Sequence, residues 1–526
     1  MGYFKLGLCL ASWFGVTGFF VFVPDLAWGQ VETSQGKELV RSDSEAITIE
    51  GRLDRNSEKL DDNTYFNIHT FEGQAGELIV IELASEEFDS YLILLDPEDN
   101  KIAEDNDSGD NNNAKILVTL PATGVYEIVV NAYKPEKSGK YTLSLRAALP
   151  EEIELAEAER LNQQVFQLGE QGKYNEAIAL AEKALAIRQR ILSNEHPDVA
   201  VSLDNLAFLY HAQGRYSEAE TLYLQSLEML KHLLGEEHPG VATSLNALAL
   251  LYKDQGKYEK AENYNLQALE MRKRLLGEEH PSVATSLNNL AVLYGAQGRY
   301  KEAEDYYLQA WEMRKRLLGE EHPEVATSLN NLADLYLNQG KYEKAEIYSL
   351  QALEMTKRLL GEEHPSVATS LNNLAVLYGA QGRYKEAETY SLQALEMLKH
   401  LLGEEHPHVA LALNNLAGIY HTQGKYKEAE IYSLQALEMF KHLLGKEHPH
   451  VALTLYNLAG IYDAQGRYKE AEIYSLQTLE MFKHLLGKEH PHVALTLYNL
   501  ATSSSVSLTV LLCTLVTRKL NLTLRS

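Results

Sequence analysis

Apolar residues in the C-terminal two thirds of the chain recur at helical spacing within a unit that repeats at a constant interval. Each unit opens with a His-Pro pair, and these pairs begin at residues 196, 238, 280, 322, 364, 406, 448 and 490. A fixed period of this length is typical of stacked supersecondary units, in which each unit buries a face against its neighbour. The pattern therefore predicts a solenoid.

Two amphipathic helices are predicted in each unit, and residues 280–321 illustrate them. Pro281 suits the first helical turn, where its missing N–H has no helical acceptor anyway. The apolar positions that follow, three and four residues apart, are Val283, Leu287, Leu290, Ala291 and Tyr294. Gly298 suits the end of this helix because glycine tolerates positive φ. A second helix is expected over about 300–318, with these residues facing inward: Ala303, Tyr307, Ala310, Met313 and Leu317.

These positions carry a family resemblance. The spacing of Leu290-Ala291, Tyr294, Gly298 and Ala303 resembles the tetratricopeptide repeat, and the LNNLA and LLGEEHP phrases resemble its kinesin-light-chain type. The resemblance implies a mainly α fold, a right-handed superhelical solenoid of helix hairpins, that binds peptide segments or proteins in its concave groove without catalysis. The expected parts are a diverged first hairpin at 149–195, seven repeats at 196–489 and a truncated eighth repeat at 490–501.

A β-rich segment precedes the repeats. Short runs of β-forming residues between 42 and 147 are separated by Gly, Pro, Asp and Asn turns, which is typical of an antiparallel β-sandwich. The phrases GQAGELIVIEL, FDSYLILLDPEDN and LPATGVYEIVV resemble the bacterial pre-peptidase C-terminal domain. That resemblance implies a non-catalytic accessory domain on an exported protein, and we assign it to residues 30–148.

The segment 1–29 is predicted to be a signal peptide. Leu6 to Val23 is almost continuously apolar, and Ala27-Trp28-Gly29 offers small residues for cleavage before Gln30. Export to the periplasm, the cell surface or the medium follows. An uncleaved membrane anchor is the alternative, because the apolar run is long for a signal.

The composition limits the kinds of partner that we expect the protein to bind. The net charge of −26 argues against nucleic acid or an anionic membrane surface. The two cysteines, Cys9 and Cys513, leave the chain between them without a thiol, which excludes a disulfide framework or a thiol catalyst there. We therefore expect peptide or protein partners and no cofactor.

One loop is a candidate metal site. Asp105, Asp107 and Asp110 lie in a run of Asp, Asn and Gly, and oxygen ligands on a loop suit Ca²⁺. The same residues are also ordinary in hairpin loops. Calcium and a plain loop remain the two interpretations.

The recurring histidines are interpreted as structural. Stacking separates successive His-Pro pairs by roughly 20 Å, from two packed helices at 8–10 Å each, which is too far for shared metal coordination. The sequence contains no HExxH, GxSxG, Walker or dinucleotide motif. We therefore expect no enzyme activity. The alternative is an accessory or regulatory part of a proteolytic system, either caspase-like or secreted, because both modules resemble accessory parts of peptidases.

A column of asparagines is the candidate ligand-binding surface. Asparagine is a poor helix former, so its recurrence in mid-helix calls for a reason. Its amide suits gripping an extended peptide backbone, and the resemblance places ligand contacts at the position of Asn289. Bonding between adjacent repeats is the other explanation. The two neighbouring columns comprise Asn205, Asn246, Asn288, Asn289, Asn330, Asn331, Asn372, Asn373, Asn414, Asn415 and Asn457.

The segment 502–526 departs from the period. The stretch TSSSVSLTVLLCTLVTRKLNLTLRS replaces the expected second half of a first helix. An out-of-frame or truncated reading of a longer gene is one hypothesis, and an apolar tail that covers the open end of the solenoid is the other.

Overall fold

The structure is a computed structural model, and it describes residues 37–39, 46–55, 57–59, 63–106, 113–135 and 137–502. The predicted signal peptide and nearly all of the tail at 502–526 lie outside these residues. The chain divides into two compact units between Arg160 and Leu161.

The N-terminal unit contains two β-sheets, as predicted. One has the order β1-β4-β9-β6-β7 with β3 paired to β4, and the other has the order β2-β10-β5-β8. All pairs are antiparallel except β1 with β4. The strands are β1 (Lys37–Leu39), β2 (Ile47–Leu53), β3 (Glu58–Lys59), β4 (Tyr65–Gly73), β5 (Leu78–Ala84), β6 (Ser90–Leu95), β7 (Lys101–Asp105), β8 (Ala114–Thr119), β9 (Gly124–Ala132) and β10 (Gly139–Ala147).

Alternate residues of these strands form the larger of two apolar clusters in this unit. Tyr126 is fully buried and stacks on Phe71 with ring centroids 5.4 Å apart. Its hydroxyl donates to the carbonyl of Ala122 at 2.7 Å, so the polar end of the ring is satisfied. Gly51 lies against the Tyr141 ring, where an added Cβ would come within 2.2 Å of it. The glycine is thus required by the close approach of β2 to this tyrosine.

The C-terminal unit is a run of helix hairpins, which confirms the predicted solenoid. Between Pro197 and Leu486, each first helix is 16 residues long and begins at the proline of a His-Pro pair, and each second helix is 19 residues long and begins at a tyrosine. The helices, counting the one that spans the division between units, are α1 (Pro150–Glu170), α2 (Tyr174–Leu192), α3 (Pro197–Ala212), α4 (Tyr216–Leu234), α5 (Pro239–Asp254), α6 (Tyr258–Leu276), α7 (Pro281–Ala296), α8 (Tyr300–Leu318), α9 (Pro323–Asn338), α10 (Tyr342–Leu360), α11 (Pro365–Ala380), α12 (Tyr384–Leu402), α13 (Pro407–Thr422), α14 (Tyr426–Leu444), α15 (Pro449–Ala464), α16 (Tyr468–Leu486) and α17 (Pro491–Thr502).

The His-Pro pair starts each first helix in the way that the sequence suggests. In all eight pairs the histidine precedes the helix, and its Nδ1 accepts from the backbone N–H two positions later at 3.0–3.2 Å. An N-cap of this kind satisfies one of the donors that a helix leaves unpaired at its start. The histidines are therefore caps in every repeat.

Packing inside each hairpin also follows the prediction, with one exception. Ala291 and Ala303 are completely buried where the two helices meet, and Gly298 has φ +75° at the turn between them. Leu317, predicted to face inward, is 39% exposed. The prediction for Leu317 is wrong because this residue is the next-to-last one of α8, a helix three residues longer than its partner α7.

In several second helices a Ser or Asn occupies the position that Tyr307 has in α8, and the tyrosine just before it has a defined partner. Tyr348 stacks on Tyr336 of the same hairpin with centroids 5.5 Å apart, and Ser349 is buried in the place of the usual large residue. The same stacking recurs at Tyr264 with Tyr252 and at Tyr432 with Tyr420. In these hairpins, stacking of the second-helix tyrosine on a first-helix tyrosine thus replaces the contact of an aromatic residue at the Tyr307 position.

A polar clamp joins each repeat to the next. We define it as a second-helix glutamate, the first-helix tyrosine 32 residues later and the Arg or Lys 37 residues later. The tyrosine hydroxyl donates to the glutamate at 2.8–3.1 Å in five successive pairs. Arg383 also donates to Glu346 at 2.8 Å and lies 3.9 Å from the centre of the Tyr378 ring. The clamp fixes the register of adjacent hairpins through charge-assisted hydrogen bonds.

The clamp predicts that Glu346→Ala destabilises the array. The variant leaves the Tyr378 hydroxyl and Arg383 without their shared acceptor, so we expect a loss of about 1–3 kcal/mol and a thermal midpoint lower by about 2 °C or more. Glu354→Ala on the same helix is the control, because Glu354 is 80% exposed and surface changes cost about 0.5 kcal/mol or less. Equal melting of the two variants by circular dichroism would contradict a stabilising clamp.

Candidate functional site

Two cavities lie along the first helices of the array. The larger, about 890 Å³, is lined by residues of α7, α9, α11, α15 and α17, among others. The smaller, about 90 Å³, lies between α9, α11 and α13. Four residues line both cavities: Asp334, Thr369, Asn373 and His408. We call the surface that carries these cavities the inner face.

Only some of the predicted asparagines lie at these cavities. Those that line one or both are Asn330, Asn331, Asn372, Asn373 and Asn415. The described residues that line the two cavities do not include Asn205, Asn246, Asn288, Asn289, Asn414 and Asn457. The structure thus brings together the central part of the column, from α9 to α13.

Hydrogen bonds between neighbouring first helices use several of these amides. Asn331 donates to Asn288 Oδ1 at 2.9 Å, and Asn457 donates to Asn414 Oδ1 at 3.3 Å. Asn330 donates to the Ser370 hydroxyl at 3.2 Å. Repeat-to-repeat bonding therefore accounts for these asparagines in the structure, while contact with a ligand stays a prediction for the column.

Two amide oxygens of the inner face are buried without a donor. They are Oδ1 of Asn330 and Oδ1 of Asn372. Asn246 differs from both, because it is buried beside Arg272 and Asn265. A buried acceptor that lacks a donor is costly in a folded protein, so the two inner-face oxygens are the places where a ligand N–H would gain most.

The winding of the array also brings late repeats into contact with early ones. His406 Nε2 lies 2.9 Å from the carbonyl oxygen of Glu170, and His448 Nε2 lies 2.9 Å from that of Ala212. Both pairs are 236 residues apart, so late first helices begin against the ends of early ones. We call this set of interactions the return contact.

Glycines make the return contact possible. An added Cβ on Gly172 would lie 2.3 Å from Pro407, and one on Gly214 would lie 2.4 Å from Pro449. At Gly298, in the middle of the array, no atom lies within 4 Å of the same position. The early turns thus accept the proline rings of the late repeats, while Gly298 serves only its own turn.

The late repeats carry a second histidine after the proline. His408, His450 and His492 occupy positions where the earlier repeats have Asp, Gly, Ser or Glu. His450 stacks on Phe440 and His492 on Phe482, with ring centroids 5.0 and 5.1 Å apart. Burial lowers the pKa of His408 and of His450 to about 4, so these rings are neutral at pH 7.

One carboxylate faces this histidine group. Asp254 Oδ2 lies 2.9 Å from His211 Nε2, and Asp254 Oδ1 pairs with Lys253 at 2.9 Å. Burial raises the pKa of Asp254, but Lys253 and His211 outweigh that effect and hold the pKa below its ordinary value. The negative charge of Asp254 raises the pKa of His450 and of His490, which offsets part of the lowering that burial causes. The return contact thus contains histidines, one lysine and one carboxylate.

The candidate calcium loop is described only in part. Asp105 accepts from the backbone N–H of Lys115 at 2.8 Å, whereas Asp107 and Asp110 lie outside the described residues. Among the described residues, no group of three or more His, Cys, Asp or Glu side chains is arranged to hold a metal. Calcium binding stays a prediction.

Sequence reasoning missed the return contact. That reasoning considered only the distance between successive His-Pro pairs. This distance gives no information about repeats that are far apart in the sequence but are brought together by the winding of the solenoid. The available signal was the change to His-Pro-His in the units that begin at 406, 448 and 490.

Family models match both units. The model described as a tetratricopeptide repeat matches residues 157–232, 205–274, 240–316, 282–358, 324–400, 366–442, 408–484 and 450–503. The model described as a bacterial pre-peptidase C-terminal domain matches residues 65–132. No curated protein matches the chain.

Several solved structures are similar to parts of the chain. BtubC from P. vanneervenii is 28% identical, with 44% of this chain and 93% of that chain covered and a TM-score of 0.36. A Podosopora anserina putative kinesin light chain with nearly identical TPR-like repeats is also 28% identical, with 38% and 94% covered and a TM-score of 0.34. The apo quorum sensor NprR from B. thuringiensis is 16% identical, with 64% and 89% covered and a TM-score of 0.44.

The return contact predicts different effects for two glycine substitutions in the same AQGRY sequence. Gly214→Ala and Gly298→Ala both place alanine at φ above +70°, which costs about 1–2 kcal/mol. Only Gly214→Ala also collides with Pro449. We expect small-angle X-ray scattering to show a longer array for Gly214→Ala and wild-type dimensions for Gly298→Ala. Identical scattering from the two variants would rule out the contact.

Acid is predicted to open the return contact. Since burial holds the pKa of its histidines below 6.5, the contact keeps its stability above pH 6.5 and loses it as the pH falls toward about 4. Scattering from pH 7.5 to 5 should show the array lengthen. A variant with His408, His450 and His492 replaced by serine, the residue at 282 and 366, should respond less. An equal response in both proteins would contradict the role of these histidines.

Proposed function

The chain belongs to the tetratricopeptide repeat family, and on that basis we propose that its array is a non-enzymatic scaffold that binds peptide segments or proteins along the inner face. The observation that supports this most directly is the pair of buried, unpartnered oxygens of Asn330 and Asn372 beside the cavities. An extended peptide offers backbone N–H donors at regular intervals, which suits such acceptors.

The charge and the histidines fit a binding role better than a catalytic one. Every His-Pro histidine uses Nδ1 to cap its own helix, which withdraws that atom from acid–base work. The net charge of −26 disfavours nucleic acid and anionic lipid surfaces as partners. The capping bonds therefore support a non-catalytic role, and the charge is compatible with protein or peptide partners.

We also propose that the protein is exported. The apolar stretch from Leu6 to Val23 and the match to the pre-peptidase C-terminal domain support this. Within the described residues no helix is both long enough and apolar enough to cross a membrane. N-terminal sequencing of protein recovered outside the cytoplasm should begin at Gln30, and a start at Met1 would contradict cleavage.

An accessory role in proteolysis is the second proposal, and the match to the pre-peptidase domain favours it. In that case the array would present a substrate or a peptidase, and the β-sandwich would accompany it. Purification of the exported protein together with an active peptidase would support this role. Purified full-length protein that changes neither the rate nor the substrate choice of that peptidase would exclude it.

Binding to the inner face can be tested with a displayed library of short random peptides selected on the full chain. We expect Asn373→Ala to weaken the selected peptides by about tenfold, the usual effect of losing one or two buried hydrogen bonds. Asn205→Ala is the matched control, because Asn205 belongs to the same column but is exposed. Equal affinities for both variants, with unchanged melting, would place the ligand elsewhere.

A further inference from the structure

One repeat differs from its neighbours on the inner face. Asp334 occupies a position at which the repeats on either side have Val292 and Val376. Asn338, four positions later on the same helix, stands where those repeats have alanine. An apolar residue would therefore fit this position of the array, and the carboxylate needs an explanation of its own.

The carboxylate lies where the two cavities meet. Asp334 lines both of them, together with Thr369, Asn373 and His408. Asn338 donates to Asp334 Oδ2 at 3.2 Å and to the Asp334 carbonyl at 2.9 Å. Among the residues that the structure describes, no Lys, Arg or His forms an ion pair with Asp334. The site thus holds a carboxylate with one side-chain donor and no counter-charge.

A second acceptor, which lacks a donor, lies at the same cavity. Asn372 Oδ1 lies in the wall of the smaller cavity and is buried without a partner. Burial raises the pKa of Asp334 to about 7, and the Asn338 hydrogen bond opposes only part of that effect. Since a buried, unpaired carboxylate is unfavourable, a bound cation that supplies donors would stabilise its charged form.

The other titratable residue of the smaller cavity does not supply that charge. His408 faces the cavity from α13, and burial lowers its pKa to about 4, so it is neutral at pH 7. The remaining lining residues of this cavity are apolar or neutral polar residues. The negative charge of the whole chain also attracts a cation toward the inner face.

We propose that the pocket at Asp334 receives the cationic side chain, Lys or Arg, of a peptide bound along the inner face. The inference rests on the proposed peptide-binding function and adds a sequence requirement to it. The carboxylate pairs with the cation, and Asn372 Oδ1 accepts a further N–H from the same group. The small cavity has room for the end of a side chain, while the larger one continues along the peptide.

Two small probes isolate the charge. n-Butylguanidinium and n-butylurea have nearly the same shape, but only the first is a cation. We expect isothermal titration of the full chain at pH 8 to show at least tenfold tighter binding of n-butylguanidinium. This preference should vanish in Asp334→Asn and in Asp334→Val. The valine variant should melt at or above the wild-type temperature, since it restores the residue of the adjacent repeats, and this separates lost binding from lost folding.

A matched control uses the other buried aspartate with a raised pKa. Asp204 accepts from the Ser244 hydroxyl at 2.7 Å, and it is not among the lining residues of either cavity. Asp204→Asn should leave the preference intact. Because burial raises the pKa of Asp334, binding of the cation to the wild type at pH 7 should release protons, measured as the dependence of the heat on the buffer. Equal affinities for the two probes, or no detectable binding of either, would overturn the cation pocket.

The same variants separate this pocket from the general binding function. Peptides selected on the wild type should carry a Lys or Arg, and Asp334→Asn should weaken them about tenfold or more. Selected peptides without a basic residue, bound equally by Asp334→Asn, would overturn the pocket and leave inner-face binding in place. Binding of n-butylguanidinium through Asp334, with no peptide selected, would keep the cation site and overturn the peptide-binding function.

Discussion

A hairpin of two amphipathic helices has two apolar faces, and it can bury the second only against another hairpin. The clamp glutamates make that contact specific. Glu346 holds the tyrosine and the arginine of the next repeat at one point, so the hairpins meet in one register. Each later feature depends on this repetition, because a small fixed rotation at every interface accumulates until the sixth and seventh His-Pro units reach the early turns.

The period, the helix bounds and the buried positions were predictable because they are properties of one unit. Helical spacing, His-Pro caps and glycine turns are local, and eight copies repeat the same information. Leu317 was misassigned because its position in the helix, and not its apolar character, decides whether a partner helix reaches it. The return contact was beyond local reasoning, since it depends on the sum of many interface angles.

The asparagine columns show that one residue type occurs in two hydrogen-bonding environments. The amides of Asn288 and Asn331 bond to each other across adjacent helices, which offsets the low helix propensity of asparagine. Asn372 lies in the same row but keeps an unpartnered oxygen at a cavity. Sequence alone could not separate these cases, because the neighbour that completes or omits the bond belongs to another repeat.

The long sequence offset of the return contact bears on how such a gene can change length. Residues 280–304 and 364–388 are identical, so unequal recombination between them adds or removes whole units. Both stretches lie inside the interval that the return contact spans. A gain or loss there would bring a different unit to the early glycine turns, one whose residue after His-Pro need not be histidine. The return contact therefore constrains the number of repeats in the middle of this array. Repeats added at the end of the array would not be subject to this constraint.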